Sequence, residues 1–340
     1  MSEELASVVR RVLADAGGTG HARTDHAEAR GSSDAAWKAL ASTGVVGLLL
    51  PDSGAGMREV GAVCGELGAV CSPLPYVSSA VGALSLLPAD DPWAARIADG
   101  DAIGVPAILE PGRGYDLTPT TTVSGDRITG EKVHVVDGGA ADVFLVTAGD
   151  GVWSVDPGAV QVISAPSTDG SRPEARVVLR DAPGARVGDL DIVGPAVDRM
   201  RAALVADAVG SARAAFALAL DYSNVREQFG VVVGSFQAVQ TLLVDTMQDV
   251  EMAAVTSRNA LDVLDDTDVD ADERHRAVLL AKAVAAEALP RALERCIQVH
   301  GGIGFTWEHD VGLHYKRALS LAAAYGDQTA MYAELATLVT

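Results

Sequence analysis

Two segments of the chain combine charged or amide side chains with glycines in a way that could bind phosphate. In the first, from Tyr222 to Gln237, Arg226 precedes Gly230, and a new helix is predicted to start at about Ser235. Arginine offers a planar pair of donors that matches phosphate oxygens, and a helix start offers free backbone N–H groups. The residues alone are compatible with an anion site, but they favour an ordinary hairpin between two helices in which Arg226 caps the preceding helix.

The second segment runs from Gln298 to His309 and ends a long predicted helix at the paired glycines Gly301 and Gly302. Glycines without a Cβ let a backbone come close to a bulky, charged ligand. The segment does not follow a predicted strand, so it lacks the strand–turn–helix context of a dinucleotide fingerprint. Taken by itself, it is weak evidence for a binding site.

Together the two segments resemble the acyl-CoA dehydrogenase family, and the resemblance extends in order over nearly the whole chain. Its later motifs are Arg226-x-Gln228-Phe229-Gly230 with Gln237, and then Gln298-x-x-Gly301-Gly302-x-Gly304-Phe305. Its earlier motifs are Trp37 to Pro51 with Gly54 and Gly56, Glu110-Pro111-Gly112, and Gly130-x-Lys132. The resemblance implies a helical N-terminal domain, a β-barrel middle domain and a C-terminal four-helix bundle.

The resemblance also implies FAD bound at an interface between subunits, in a homodimer that usually forms a tetramer. The first segment would hold the pyrophosphate and adenine side of FAD, and the neighbouring subunit would contribute the second segment. The residues that these roles fall on are Arg226, Gln228, Phe229 and Gln237 in the first, and Gln298, Gly301 and Gly302 in the second.

The reaction implied by the resemblance is α,β-dehydrogenation of an acyl-CoA thioester, in which a carboxylate removes the α-proton while a hydride passes to the flavin. The family usually takes that carboxylate from one of two positions, which here hold Met200 and Gly326. The candidate bases are therefore Asp207, seven residues beyond Met200 and roughly 10 Å along a helix, and Asp327. The alternative roles are a polar residue satisfied between packed helices for Asp207 and a turn residue for Asp327.

The side that would face the flavin also departs from the family. Where the family usually has two hydroxyl-bearing threonines this chain has Leu109 and Val136, and His134 stands at the usual aromatic position. His134 could cover the flavin ring or be a structural histidine. Three hypotheses remain: a self-sufficient dehydrogenase, a catalytically incomplete subunit of a heteromeric enzyme that shares FAD with a second dehydrogenase-like chain, and a non-enzymatic scaffold.

The elements that must position these residues fall into three predicted domains, 1–101, 102–190 and 191–340. Residues 1–101 have the apolar spacing of helices, with starts at Ser2, at Ser33 or Asp34, and near Arg58. Short Val- and Ile-rich runs between 102 and 190 predict an antiparallel sandwich or barrel. Further on, helices are predicted over 196–224, 236–265 and 272–299, with a shorter one after Thr306, and Pro290 should kink or split the third. The predicted class is α+β and mainly α.

Composition limits the possible partners. The formal net charge is −20 and no basic run is present, which argues against nucleic acid. We expect a cytoplasmic protein, because no signal peptide is evident and the longest apolar run, Gly44 to Leu50, is too short to cross a membrane. The three cysteines lack metal-ligand spacing and are predicted to be buried thiols. An electron-transferring flavoprotein is the expected electron acceptor, by analogy with the family.

Overall fold

The computed structural model describes residues 2–25 and 34–338, so the predicted start at Ser33 lies outside the described residues. The N-terminal part is helical, as predicted. Its helices are α1 (Ser2–Asp15), α2 (Thr19–Asp25), α3 (Asp34–Ala41), α4 (Met57–Ala69), a π-helical segment (Tyr76–Ala83), α5 (Leu84–Leu86) and α6 (Pro92–Ala98). Trp37 and Leu40 of α3 are buried, in line with the predicted apolar face.

The middle of the chain forms a seven-stranded sheet with the order β1-β4-β5-β7-β3-β2, and β6 pairs with β7. The strands are β1 (Gly104–Ala107), β2 (Thr122–Ser124), β3 (Arg127–Val136), β4 (Val143–Ala148), β5 (Gly151–Val155), β6 (Gln161–Ala165) and β7 (Glu174–Asp189). The long strand β7 pairs with β3 and β6 through its first half and with β5 through its second half, which joins two layers as in a sandwich. The sheet is mixed rather than purely antiparallel, because β1 and β4 run parallel.

The C-terminal part is helical again. Its helices are α7 (Val193–Val225), α8 (Gln237–Asp265), α9 (Ala271–His300), α10 (Val311–Ala323) and α11 (Gln328–Leu338), and a two-stranded hairpin, β8 (Glu227–Gln228) and β9 (Val231–Val232), joins α7 to α8. Pro290 lies inside α9 without splitting it. The predicted α+β class, mainly α, with a β domain between two helical parts, is confirmed.

Helix α7 is the central element of the bundle and packs against α4, α8, α9 and α10. Small residues let it approach α4 closely, since a Cβ added at Gly210 would lie 2.0 Å from the carbonyl oxygen of Gly65. By length and hydropathy the stretch Leu190–Val225 could cross a membrane, but 61% of its most apolar window is buried inside the protein. Its environment is that of a core helix.

The predicted burial of the cysteines is confirmed, because Cys64, Cys71 and Cys296 are all buried free thiols. Burial raises the pKa of each thiol, to about 12 for Cys71 and Cys296. These thiols therefore stay protonated at neutral pH and contribute to packing.

Candidate functional site

A cavity of about 300 Å³ lies where the N-terminal helices, the sheet and the bundle meet; we call it the inner cavity. Its walls come from the π-helical segment, the ends of β1 and β3, the start of β7, the first turns of α7 and the end of α10. Most of the side chains are apolar, and the polar ones include Tyr115, His134, Arg172, Glu174 and Tyr325. The family positions discussed above, Leu109, His134, Val136 and Met200, all line it.

Two motifs that support the resemblance meet beside this cavity in a buried ion pair. Lys132 of β3 donates through Nζ to Glu110 Oε1 at 2.7 Å and to the carbonyl oxygen of Ile108 at 3.2 Å. Burial opposes the charge of Glu110, but hydrogen bonds from Lys132, Thr120 and Thr121 lower its pKa to about 2. Burial also lowers the pKa of Lys132, to about 8. Glu110 and Lys132 thus have a structural role, which is to fix the loop that carries Leu109.

The candidate base Asp207 does not line the inner cavity. Its side chain is fully buried, and Arg317 donates from Nε to Oδ1 at 2.8 Å and from Nη2 to Oδ2 at 2.6 Å. Arg172 donates to Oδ2 at 2.9 Å. Burial works against ionisation, yet the positive charges of Arg317 and Arg172 hold the pKa of Asp207 below its ordinary value. A carboxylate held in this way joins α7, α10 and the loop before β7, and it is poorly suited to accept a substrate proton.

The other candidate base, Asp327, is exposed and also lies outside the cavity lining. Its Oδ1 accepts a hydrogen bond from the backbone N–H of Ala330 at 2.9 Å, so Asp327 caps the start of α11. The preceding residue, Gly326, has a left-handed φ of 117°, and a Cβ added there would lie 2.2 Å from Cε of Met331. The second family position for a base is therefore occupied by a glycine whose left-handed backbone disfavours any other residue.

Sequence reasoning missed a carboxylate that does line the cavity, Glu174. Glu174 begins β7, and its Oε2 accepts a hydrogen bond from Nδ1 of His134 at 2.9 Å. The contact depends on an irregularity in β3, where the register shifts between Lys132 and Val135 and His134 takes a left-handed φ of 52°. No sequence pattern foretells such a bulge, which explains why this pair could not be found from spacing.

At the far end of α7 the first motif forms a tight hairpin. The central residues of its turn, Phe229 and Gly230, both have positive φ, at 55° and 81°. Positive φ at both positions matches the right-handed twist of the strands but is unfavourable for a phenylalanine. The Phe229 side chain is nevertheless 95% exposed. A strained, exposed aromatic side chain indicates a surface that meets a ligand or another chain.

The second motif lies next to this hairpin in the same chain. The rings of Tyr222, before the hairpin, and His300, before the paired glycines, are 4.9 Å apart between centroids. One chain therefore presents both segments on one surface, and the expectation that different subunits supply them to one FAD molecule stays a prediction. We call this surface the bundle-end patch; it comprises Arg226, Gln228, Phe229, Gln237, Gln298, Gly301 and Gly302.

The bundle-end patch is open, and several of its polar groups are free to meet a ligand. The side chains of Arg226, Gln237 and Gln298 are exposed and have no hydrogen-bond or ion-pair partner among residues 2–25 and 34–338. A Cβ added at Gly301 or Gly302 would meet nothing within 4 Å, so a ligand can approach the backbone there. Free guanidinium and amide groups beside an open glycine turn are suited to bind a pyrophosphate and its adenosine.

The inner cavity and the bundle-end patch lie at opposite ends of α7. Met200 and Leu204 line the cavity in the first turns of the helix, whereas Arg226 follows its last residue. Leu204 and Val225 are roughly 30 Å apart along the axis at 1.5 Å per residue.

Comparisons with known proteins agree with the resemblance. The acyl-CoA dehydrogenase C-terminal domain matches residues 190–337. Acyl-CoA dehydrogenase FadE28 of Mycobacterium tuberculosis is 30% identical over 310 residues, which cover 86% of this chain and 89% of that protein. FadE34 of the same organism is 32% identical over 309 residues, and the chain spans 41% of that relative's length. The chain belongs to the acyl-CoA dehydrogenase family.

Solved structures show the same fold over the whole length. A variant of the steroid ACAD Tcur3481-Tcur3483 superimposes with a TM-score of 0.90 at 26% identity, covering 99% of this chain and 97% of the other. The ChsE4-ChsE5 complex from Mycobacterium tuberculosis gives a TM-score of 0.89 at 25% identity, covering 99% and 96%. Both names join two different proteins.

Proposed function

We propose that this chain is one subunit of an FAD-dependent acyl-CoA dehydrogenase formed with a second, related chain. Its bundle-end patch holds the pyrophosphate and adenosine of an FAD molecule whose flavin ring lies in the partner's cavity. The observation that carries the proposal is that the patch is intact while the inner cavity of the same chain lacks a base at both family positions, Met200 and Gly326.

The residues of the patch have distinct roles in this proposal. Arg226 pairs with the pyrophosphate, Gln237 and Gln298 bond polar groups of the adenosine half, and the backbone at Gly301 and Gly302 approaches the phosphates. Phe229 and Gln228 cover the ligand at the hairpin. When bound, FAD supplies the hydride acceptor for dehydrogenation of an acyl-CoA thioester.

The geometry of α7 explains why a partner is needed. One FAD molecule cannot lie against both the patch and the inner cavity of one chain if they are separated by most of a long helix. A flavin held at the patch therefore reaches a cavity on another chain, which also supplies the carboxylate that removes the α-proton. Two related solved structures carry names of two-protein complexes, and this supports a heteromer over a homodimer or homotetramer.

Two alternatives remain to be tested against this proposal. A self-sufficient homo-oligomer would need a base of its own. The buried ion pairs of Asp207 and the helix cap made by Asp327 disfavour these two, and Glu174, which lines the cavity, is hydrogen-bonded to His134. A scaffold without enzymatic function would keep the patch only as an assembly interface. An electron-transferring flavoprotein as electron acceptor and a cytoplasmic location complete the proposal.

The colour of the purified protein separates the three possibilities. We expect the full chain alone to be colourless, and to form a yellow complex when a second acyl-CoA dehydrogenase-like chain is co-expressed with it. Bleaching of that complex by an acyl-CoA would then show dehydrogenation. A yellow lone chain that bleaches with acyl-CoA would support the homo-oligomer, and absence of flavin in every combination would support the scaffold.

A further inference from the structure

The inner cavity has polar chemistry of its own that the shared flavin site does not use. His134 and Glu174 both line it and are hydrogen-bonded to each other at 2.9 Å. The side chain of His134 is 68% exposed, so its ring is open to a ligand. Its left-handed backbone is held in place by the bulge in β3, and strained residues of this kind cluster at binding sites.

The partner of Nδ1 determines what the other ring nitrogen can do. A carboxylate only accepts hydrogen bonds, so Nδ1 of His134 carries the proton and donates it to Glu174. In the neutral imidazole Nε2 then has a free lone pair and acts as an acceptor. No residue in the described parts of the chain bonds to Nε2. A ligand group that meets it must therefore donate a hydrogen bond.

The remaining walls determine what else the ligand must be. Val77, Pro106, Leu204, Leu319 and Ala323 make other parts of the wall apolar, and they favour an apolar molecular body. The negative charge of Glu174 disfavours an anionic group next to His134, while the guanidinium of Arg172, which also lines the cavity, donates through Nη2 to Asp207. A neutral hydroxyl group satisfies both conditions.

We propose that the inner cavity binds an apolar molecule bearing a hydroxyl group, which donates a hydrogen bond to Nε2 of His134. Glu174 is a positioning residue that fixes the tautomer of the ring. The site is separate from the bundle-end patch and does not require FAD.

The test uses the full chain, labelled with nitrogen-15 in its histidines, and the matched probes cyclohexanol and cyclohexanone. The two molecules share size and apolar surface, but only the alcohol donates. We expect cyclohexanol to bind about three- to tenfold more tightly, the range of one neutral hydrogen bond, and to shift the Nε2 resonance of His134. Equal affinities, or an Nε2 resonance that shows a bound proton, would overturn the proposal.

Three variants sharpen the result. His134→Phe keeps a ring of similar size but removes the acceptor, so the preference for the alcohol should disappear. Glu174→Leu leaves Nδ1 without an acceptor, so the tautomer is no longer fixed and the preference for the alcohol should weaken. Arg176→Gln, two residues along β7 in a surface ion pair with Glu131, is the control and should bind both probes as the wild type does.

A preference that survives in His134→Phe would contradict the proposal. Because no flavin enters this experiment, its outcome is independent of the colour test. A colourless complex would contradict the proposed dehydrogenase function. The binding of cyclohexanol and cyclohexanone would still test the cavity proposal.

Discussion

The bundle-end patch and the inner cavity differ in how their functional side chains are used. In the patch, the side chains of Arg226, Gln237 and Gln298 are exposed and have no hydrogen-bond or ion-pair partner within the described residues. Polar groups without such partners contribute nothing to the stability of the fold. Around the cavity the candidate base Asp207 is locked into ion pairs, and apolar Leu109, Val136 and Met200 occupy the functional family positions.

This difference indicates that the two regions are under different requirements. Groups left unpaired at a surface are available to a ligand, whereas groups whose hydrogen bonds are all made within the chain stabilise the fold. On the proposed function, this chain retains the half of a shared cofactor site that serves its partner and lacks the half that would serve itself.

The strongest test of the structural role of Asp207 is its removal. Asp207→Ala leaves Arg317 buried without its carboxylate partner, and we expect the free energy of unfolding to fall by about 3–5 kcal/mol. Urea denaturation measures the loss. A variant of unchanged stability whose assembled complex is inactive would instead identify Asp207 as the base and remove the contrast between the two regions.

Substitutions in the bundle-end patch should weaken ligand binding and leave the stability of the chain unchanged. Arg226→Ala removes a charge-assisted pair with the pyrophosphate, and we expect about 1.5–3 kcal/mol weaker FAD binding by the assembled complex. Titration of the flavin-free complex with FAD measures this change. The free energy of unfolding of the chain should stay the same, and Arg11→Ala, an exposed arginine on α1, should alter neither property.

The stability of the protein should depend on pH through Lys282, which contacts the wall of the inner cavity. This buried residue of α9 donates to the carbonyl oxygens of Leu321 and Ala322 at 2.6 and 2.8 Å. Burial, with the nearby charge of Arg201, lowers its pKa from 10.5 to about 7. Between these values the unfolded chain binds a proton that the folded chain does not, so stability contributed by this residue increases as the pH rises.

We expect Lys282→Met to reduce the slope of unfolding free energy against pH by up to about 1.4 kcal/mol per pH unit between pH 7 and 10. Urea titrations at several pH values give the slope. Lys38→Met, at an exposed site, serves as the control. Identical slopes in wild type and Lys282→Met would mean that the lysine keeps its ordinary pKa in the folded protein.

The smallest effect is expected for the second candidate base. Asp327→Ala removes the cap of α11, which should lower the unfolding free energy by about 0.5–2 kcal/mol. Asp327→Asn can still accept the hydrogen bond from Ala330 and should restore most of it. If the complex instead lost its activity in both variants with little change in stability, Asp327 would be acting in catalysis.

Much of the fold could be predicted from the sequence, because helical spacing and short β-branched runs are local signals. The predicted bounds of α7, α8 and α9 agree with the observed bounds to within a few residues. Predictions failed where tertiary context decides: Pro290 continues within a packed helix, and the parallel pairing of β1 with β4 depends on chain topology. The ion pairs of Asp207 involve residues 35 and 110 positions away. The bulge at His134 could not be predicted from the spacing of residues in the sequence.

The most direct test of the central claim is the number of flavins in the purified two-chain complex. If this chain contributes a patch but no flavin-holding cavity, each pair of unlike chains contains one FAD, bound between this chain's patch and the partner's cavity. Quantitative flavin absorbance against protein concentration gives the ratio. Two flavins per pair would show that the inner cavity of this chain also holds a flavin ring, and would contradict the account.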